Sequence, residues 1–167
     1  DKPSSQEICF VPADSDYRHF IQSRSEVTIQ PGMVINTAGQ QIGTHRGYPF
    51  YTIGQRQGLG IAAGKPLYVL AIKPAENIII AGEEKDLFRQ ELLATDVNYI
   101  SAGPIPAPVE VTAKIRYRSR AVGAVIYPTE NTHTLRVVLS VPCRAVTPGQ
   151  SIVFYQGDEV LAGGIIA

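Results

Sequence analysis

The second half of the chain alternates between apolar and polar side chains in several short runs. Residues 109–116 place apolar side chains at every odd position, and residues 135–141 repeat this pattern as far as Val141. Two further runs, 152–155 and 160–166, flank the turn sequence Gln-Gly-Asp. Alternation with a period of two is typical of strands that bury one face. Strands at this spacing, with turn residues between them, predict a small closed β-barrel.

The middle of the chain contains two hairpin patterns with a glycine-rich stretch between them. Residues 32–36 and 41–44 flank the turn sequence Thr-Ala-Gly-Gln, and residues 66–73 and 77–81 flank Pro-Ala-Glu. Runs of this kind around short turns predict antiparallel strand pairs. Residues 54–64 contain too much glycine for regular structure, so they predict a surface loop.

One short helix is predicted near the N-terminus, where Tyr17, Phe20 and Ile21 fall on one helical face after capping oxygens at residues 14–16. The fold class is therefore mainly β, with one short N-terminal helix, a small central β domain and a C-terminal closed β-barrel. The predicted segments are 1–23, a central β domain at 24–90, and a barrel at 91–167. The chain opens at Asp1 without a methionine, which indicates a piece of a longer protein.

The glycine-rich loop departs from both common nucleotide-binding patterns. A phosphate-binding P-loop continues from Gly-Lys to Ser or Thr, but Gly64-Lys65 is followed by Pro66. A dinucleotide-binding loop opens a helix, whereas a strand pattern follows here. We expect no nucleotide site in this loop, although glycine permits close approach to a ligand or to another backbone.

Charge and cysteine content narrow the function classes. Fifteen basic residues balance fifteen acidic ones, so any contact with nucleic acid must come from a local patch. No apolar run is long enough to span a membrane and no leader pattern is present, so we predict a cytoplasmic protein without a membrane partner. Three scattered histidines and two cysteines 134 positions apart predict no metal site.

Cys9 and Cys143 allow different interpretations. Cys9 lies between apolar neighbours, so it fits a buried structural cysteine, which the residues alone favour, or a reactive thiol. A reactive thiol requires a nearby cation or helix N-terminus that lowers its pKa. Cys143 is predicted to pack at the end of a strand, and no chemistry is assigned to it.

Four cations lie within seven residues at the end of the run 109–116 and directly after it. In an extended strand Lys114, Arg116, Arg118 and Arg120 would point to one side in a row roughly 20 Å long, with Tyr117 on the other side. A solvated barrel face and an RNA phosphate contact explain this row equally well. Further cations are predicted around the glycine-rich loop: His45, Arg46 and Arg56.

Five motifs together resemble the bacterial tRNA-specific 2-thiouridylases, in order and in spacing, over essentially the whole chain. They are Ser-Gln-Glu-Ile-Cys-Phe at 5–10, Gly-Thr-His-Arg-Gly at 43–47, Tyr-Thr-Ile-Gly-Gln-Arg-Gln-Gly-Leu-Gly at 51–60, Lys-Ile-Arg-Tyr-Arg at 114–118 and Thr-Pro-Gly-Gln at 147–150. The resemblance departs from the family pattern at Glu7, where Asp is commoner, and at Cys143.

The resemblance implies an activity and a division of labour. Enzymes of this family activate C2 of the wobble uridine of tRNA with ATP and deliver sulfur from a cysteine persulfide. Residues 1–23 would be the end of the catalytic domain, and Cys9 would carry the persulfide. ATP would be bound by an N-terminal domain that this chain lacks. The implied partners are the anticodon region of tRNA and a sulfur-relay carrier protein or a cysteine desulfurase.

The resemblance also assigns contacts and a fold. The barrel would be similar to domain 2 of translation factors and would contact tRNA through Arg116, Tyr117 and Gln150. Further contacts with tRNA or with a neighbouring domain are assigned to five residues: Arg46, Gln55, Arg56, Lys114 and Arg118. The alternatives are a tRNA- or RNA-binding module that acts without catalysis, and a methyltransferase, for which no cofactor-binding pattern is present.

Overall fold

A computed structural model of the chain describes residues 17–24, 28–101, 103–116 and 119–167. The chain divides into two compact units, Asp1–Gly82 and Glu83–Ala167. The predicted helix is confirmed as α1, Tyr17–Arg24. Its residues Phe20 and Ile21 are half-buried, and the Arg24 guanidinium lies 5.3 Å from the centre of the Phe20 ring. The predicted capping residues 14–16 lie outside the described residues.

The first unit contains a four-stranded sheet. Its strands are β1 (Gly32–Ile35), β2 (Gln41–His45), β3 (Tyr68–Lys73) and β4 (Ile78–Gly82), in the order β2-β1-β4-β3. The two hairpins are antiparallel, as predicted, and a parallel pairing of β1 with β4 joins them. Short 3-10 helices occur at Tyr48–Phe50 and Pro74–Glu76.

Local hydrogen bonds close these turns, and a small apolar core holds the sheet. The Asn36 side-chain oxygen accepts hydrogen bonds from the N–H groups of Ala38 and Gln40, both at 2.9 Å, which shapes the first turn. Asn77, with a φ of 54°, turns the chain into β4. The buried core residues are Val34, Leu59, Val69, Ile79 and Ala81.

The second unit is a closed six-stranded barrel, as the strand pattern predicts. Its strands are β5 (Phe88–Tyr99), β6 (Val109–Lys114), β7 (Val122–Pro128), β8 (Leu135–Arg144), β9 (Ser151–Gln156) and β10 (Glu159–Ile166). They close in the order β10-β5-β8-β7-β6-β9. The inward residues include Phe154, Ile126 and Leu135, each completely buried. Closure leaves this sheet without a free edge.

One inward position is predicted wrongly. The alternation in residues 135–141 continues in sequence to Val141, but that side chain is 53% exposed. The pairing of β5 with β8 shifts register here, because Arg89 lies opposite Cys143 whereas Glu91 lies opposite Val138. The extra residues of β8 bulge away from the barrel, and side-chain alternation ends at a bulge.

The two units divide between Gly82 and Glu83. A 3-10 helix, Glu84–Leu87, opens the second unit, and the Asp86 carboxylate accepts a hydrogen bond from the Glu83 N–H at 2.9 Å. Strand β5 starts at Phe88, so the border predicted at residue 90 lies inside this strand.

Candidate functional site

The predicted row of four cations on one extended strand is wrong in its geometry. Strand β6 ends at Lys114, and the Ser119 N–H donates to the Arg116 carbonyl at 3.1 Å, so a turn follows. Ile115 is buried in the barrel core directly before this turn. Tyr117 and Arg118 lie outside the described residues. Arg120 is exposed, but it is not on β6.

The Arg116 side chain turns toward two other loops of the barrel. Its Nη2 donates hydrogen bonds to the carbonyl oxygens of Arg144, at 3.1 Å, and Ala145. Its Nε donates to the Gln150 side-chain oxygen at 3.4 Å. The structure therefore brings together two residues predicted from separate motifs, Arg116 and Gln150, and shows Arg116 bound to protein carbonyls.

One of the carbonyl groups that Arg116 contacts belongs to a residue with an unfavourable backbone conformation, Ala145. It is buried and has a φ of 52°, in the left-handed region that alanine adopts at a cost in energy. Its N–H donates to the Leu87 carbonyl at 2.9 Å, and its carbonyl also accepts from the Thr147 hydroxyl at 2.9 Å. Arg116 thus supports a strained residue at the end of β8.

Gln150 is held in place by its backbone. Its N–H donates to the Thr147 carbonyl at 3.3 Å, and its carbonyl accepts from the Ile166 N–H at 2.8 Å. Gly149, with a φ of 84°, supplies the left-handed conformation of the same turn. The turn is therefore fixed to β10, and the half-buried Gln150 side chain projects from a rigid backbone.

Cys143 lies near the end of β8 and packs against the barrel core, as predicted. Burial raises the pKa of its thiol, and the nearby Arg116 charge partly offsets this increase. A raised pKa reduces the thiolate fraction, so Cys143 is a poor nucleophile. The other predicted thiol, Cys9, lies outside the described residues.

The first unit contains a cleft of about 620 Å³ beside the glycine-rich loop. It is lined by Pro31, Thr44, His45, Arg46, Phe50, Tyr51, Gly58, Leu59 and Gly60. Residues 54–64 form no helix or strand, so the predicted surface loop is confirmed. The Gly54 N–H and the Gln55 carbonyl pair with Val69, at 2.8 and 2.9 Å, and fasten the loop to β3.

Gln55 shapes this loop from within. Its side-chain oxygen accepts from the Thr52 N–H at 3.0 Å, and its side-chain nitrogen donates to the Gln57 carbonyl at 2.8 Å. Both ends of the carboxamide are therefore engaged in the loop. Arg56 is exposed, and its side chain has no hydrogen-bond or ion-pair partner among the described residues.

His45 differs from the prediction that it adds a cation to the loop surface, because it is only 1% exposed. Its Nδ1 accepts a hydrogen bond from the Gly47 N–H at 3.1 Å, and its Nε2 lies 3.1 Å from the Asn77 carbonyl. An accepting Nδ1 and a donating Nε2 define a neutral ring. The Tyr51 ring packs edge-on at 5.8 Å.

Arg46 is the cation that this arrangement presents to solvent. Its backbone N–H points to the Tyr51 hydroxyl at 3.5 Å, while its side chain is exposed at the cleft. The guanidinium has no hydrogen-bond or ion-pair partner within the described ranges. From the sequence alone, His45, Arg46 and Arg56 are predicted to be equivalent surface cations. The structural role of His45 is not predicted, because the motif does not reveal that this side chain is buried.

The described residues contain no group of three or more histidine, cysteine or acidic side chains that could hold a metal ion. No helix in this part of the chain is long and apolar enough to cross a membrane.

Comparisons with known proteins follow the same division into two units. Residues 18–83 match the family model described as tRNA methyl transferase PRC-barrel domain, and residues 89–166 match the one described as aminomethyltransferase beta-barrel domain. A tRNA-specific 2-thiouridylase of Acetivibrio thermocellus is 51% identical over 165 residues, which are 99% of this chain. The chain belongs to the tRNA-specific 2-thiouridylase family. The resemblance stated from the five motifs is thereby confirmed.

Other thiouridylases agree closely. The Moorella thermoacetica protein is 50% identical over 165 residues and the Carboxydothermus hydrogenoformans protein 48% over 166, each across 99% of this chain. The chain spans less than half of these relatives, 45% to 46% of their length. The descriptions of both family models mention a methyltransferase, whereas these relatives carry the thiouridylase name.

Proposed function

We propose that the protein containing this chain is a tRNA 2-thiouridylase, and that this chain supplies a tRNA-binding surface and the cysteine that carries sulfur. The observation that supports this most strongly is the identity of about one half with named thiouridylases, sustained over 99% of the chain. The matched residues include both the first unit with its four-stranded sheet, hereafter the sheet unit, and the barrel. The protein would act on tRNA in the cytoplasm.

The chemistry assigned to the whole protein requires an activated base and a sulfur donor. ATP would activate the C2 oxygen of the wobble uridine in the anticodon region. The outer sulfur of a Cys9 persulfide would then form a bond to C2 as the activated oxygen leaves with AMP. A second thiol, elsewhere in the whole protein, would attack the Cys9 sulfur, so that 2-thiouridine leaves and a disulfide joins the two cysteines. A thiol reductant of the cell would then reduce this disulfide and regenerate Cys9. A sulfur-relay carrier or a cysteine desulfurase would reload it.

ATP binding is assigned to the rest of the protein because the described residues do not fit it. The glycine-rich loop at 54–64 leads into strand β3, whereas a phosphate-binding loop requires the N-terminus of a helix. The Gln55 side chain already forms hydrogen bonds with the backbone groups of Thr52 and Gln57. No step of the reaction is therefore assigned to this loop.

The barrel is proposed to contact tRNA through the surface around Arg116, Tyr117 and Gln150. Gln150 offers a carboxamide on a rigid turn, and Arg116 lies beside it with further cations, Lys114 and Arg118, on the same segment. RNA-binding surfaces combine such cations with polar side chains that contact phosphate and sugar. The hydrogen bonds of Arg116 to Arg144 and Ala145 favour a positioning role for it beside this contact.

A second candidate is a tRNA-binding module that acts without catalysis. One observation favours it: the sequence places four cations, Lys114, Arg116, Arg118 and Arg120, within seven residues of the barrel. On this view the chain would bind tRNA and Cys9 would carry no sulfur.

In vitro thiolation by the full-length protein distinguishes the two candidates. The protein would be incubated with ATP, a sulfur donor and a tRNA transcript, and the digested nucleosides analysed by mass spectrometry. We expect 2-thiouridine from a transcript with uridine at the wobble position and none from a matched transcript with cytidine there. Tight tRNA binding without any 2-thiouridine would favour the module, and the chain alone is expected to thiolate nothing.

A further inference from the structure

Charge is distributed unevenly along a chain that is neutral overall. Residues 28–82 contain four basic residues, Arg46, Arg56, Lys65 and Lys73, and one acidic residue, Glu76. The Lys73 ammonium forms an exposed ion pair with the Glu76 carboxylate at 3.1 Å. Residues 28–82 therefore carry an excess of three positive charges, whereas the first unit as a whole, Asp1–Gly82, carries seven basic and six acidic residues. Such an excess attracts polyanions locally even where the net charge of the chain is zero.

The barrel has the opposite balance. Residues 83–167 contain eight basic and nine acidic residues, so their net charge is slightly negative. Two of the described arginines there, Arg136 and Arg144, form ion pairs with Glu91 and Glu84. Local attraction of RNA is therefore expected from residues 28–82 more than from the barrel, although the motifs assign their tRNA contacts to the barrel.

The cleft of the first unit places part of this positive charge at a concave surface. Its volume of about 620 Å³ lies within the range of roughly 300 to 1,000 Å³ typical of ligand sites. The residues that line it include the Arg46 side chain and the hydroxyl-bearing residues Thr44 and Tyr51, and none of them is acidic. Gly58 and Gly60, with φ values of 79° and 67°, form another part of its wall, to which they contribute backbone only.

The backbone that carries Arg46 is fixed before any ligand binds. The adjacent His45 ring is buried and bound on both nitrogens, to Gly47 and to Asn77. Gly47 adopts a φ of 142°, and a methyl group in place of its hydrogen would overlap Ile29. Because this backbone is already fixed, binding an anion at the exposed, unpaired guanidinium restricts the Arg46 side chain but requires no further ordering of the backbone. Within the described residues nothing competes for that guanidinium.

We propose that this cleft, formed by Thr44, Arg46, Tyr51 and the wall of Gly58 and Gly60, binds the sugar-phosphate backbone of the tRNA. Arg46 contacts a phosphate, and the Thr44 hydroxyl is available to the neighbouring ribose. The identity of the RNA rests on the proposed function, whereas the site and its chemistry rest on the geometry and charge given above. This contact is separate from the Arg116–Gln150 surface of the barrel.

The dependence of tRNA affinity on salt tests the proposal in the full-length protein. Each phosphate neutralised contributes about 0.7 to 0.9 to the slope of log K against log salt. Arg46→Ala is expected to reduce the slope by about one such contact and to weaken binding by roughly 3- to 10-fold near 0.1 M salt. Arg46→Lys should preserve the slope. Lys73→Ala removes the same charge from the same unit outside the cleft and should change neither quantity appreciably.

A photo-crosslink supplies a second measurement that does not depend on a variant. Transcripts substituted with 4-thiouridine would be bound, irradiated and digested, and the crosslinked peptides identified by mass spectrometry. We expect crosslinks in the tryptic peptide 47–56, which contains Tyr51, or near Gly58 and Gly60 in the tryptic peptide 57–85, since trypsin does not cleave before Pro66 or Pro74. Binding to tRNA with no crosslink in either peptide would overturn the proposal, as would an unchanged slope for Arg46→Ala.

Binding measurements distinguish a failure of the cleft contact from a failure of the proposed function. If Arg46→Ala binds tRNA normally while Gln150→Ala weakens binding, the cleft has another occupant, such as a peptide segment, and the proposed function stands. If the full-length protein binds no tRNA, both the cleft contact and the proposed function are wrong.

Discussion

The Nε atom of Arg116 lies 3.4 Å from the side-chain oxygen of Gln150, although 34 positions separate the two residues in the chain. Each comes from a different motif, and the barrel brings the end of β6 next to the turn before β9. The same guanidinium binds the Arg144 and Ala145 carbonyls. Arg116 therefore links the Gln150 side chain to the backbone that follows β8.

Replacing Arg116 with alanine should lower the stability of the barrel. The variant loses hydrogen bonds to the carbonyls of Arg144 and Ala145, and Ala145 keeps its left-handed backbone without that support. Because Arg116 is exposed, we expect a modest loss of about 1 kcal/mol in the free energy of unfolding, measured with urea. Arg120→Ala, at an exposed position nearby, is the control and should leave the urea midpoint unchanged.

Gln150→Glu should weaken tRNA binding more than Gln150→Ala does. A carboxylate at this position would still accept the hydrogen bond from Arg116, so the barrel surface stays intact, but it would repel RNA phosphate. Electrophoretic or fluorescence titration with tRNA measures the difference, which we expect to be several-fold. Equal affinities for wild type, Gln150→Ala and Gln150→Glu would remove Gln150 from the contact.

Gly32→Ala should destabilise the sheet unit strongly. A Cβ atom at this position would overlap the Asn77 carbonyl and would lie 2.5 Å from the His45 Nε2 atom, so it would break the hydrogen bond between them. We expect a loss of roughly 2 to 4 kcal/mol, which combines overpacking with a buried unsatisfied group. Thermal unfolding followed by circular dichroism measures it. Gly103→Ala is the control: a Cβ atom there meets no atom within 4 Å, so the free energy of unfolding should stay unchanged.

Cys143 should react slowly with alkylating reagents. Burial raises the pKa of its thiol, so its thiolate appears at higher pH than for an ordinary cysteine, and the rate should keep rising above that pH. Arg116 favours the thiolate, so Arg116→Ala should raise the pKa further and slow the reaction at pH 8. Mass spectrometry of the Cys143 peptide gives the rate by residue. Faster alkylation in the variant would contradict this account.

The sequence predicts most of the elements because their signals are local. Both hairpins of the first unit and the strands around residues 109–166 follow from alternation and turn residues, and closure into a barrel follows from their number and spacing. The structure differs from the predicted pattern at Val141, where strand pairing determines which side chains are buried. Val141 is exposed because β8 bulges opposite β5. A register shift depends on a partner strand almost 50 positions away, which no local pattern encodes.

The candidate sites are predicted less completely for the same reason. Motifs identify Arg116 and Gln150, but their contact follows from closure of the barrel. Arg46 and His45 are adjacent in sequence and both are predicted to be surface cations. Arg46 is exposed, whereas His45 is buried. That difference arises because the His45 side chain faces Asn77 across the sheet, so tertiary packing assigns the roles.

The most direct test of the account is thiolation by the full-length protein with Cys9→Ser and Cys143→Ser compared side by side. The assay measures 2-thiouridine in tRNA, and persulfide on each cysteine is trapped by alkylation and located by mass spectrometry. We predict that wild type and Cys143→Ser form 2-thiouridine and carry sulfane sulfur on Cys9, and that Cys9→Ser forms none. Undiminished 2-thiouridine from Cys9→Ser would contradict the central claim.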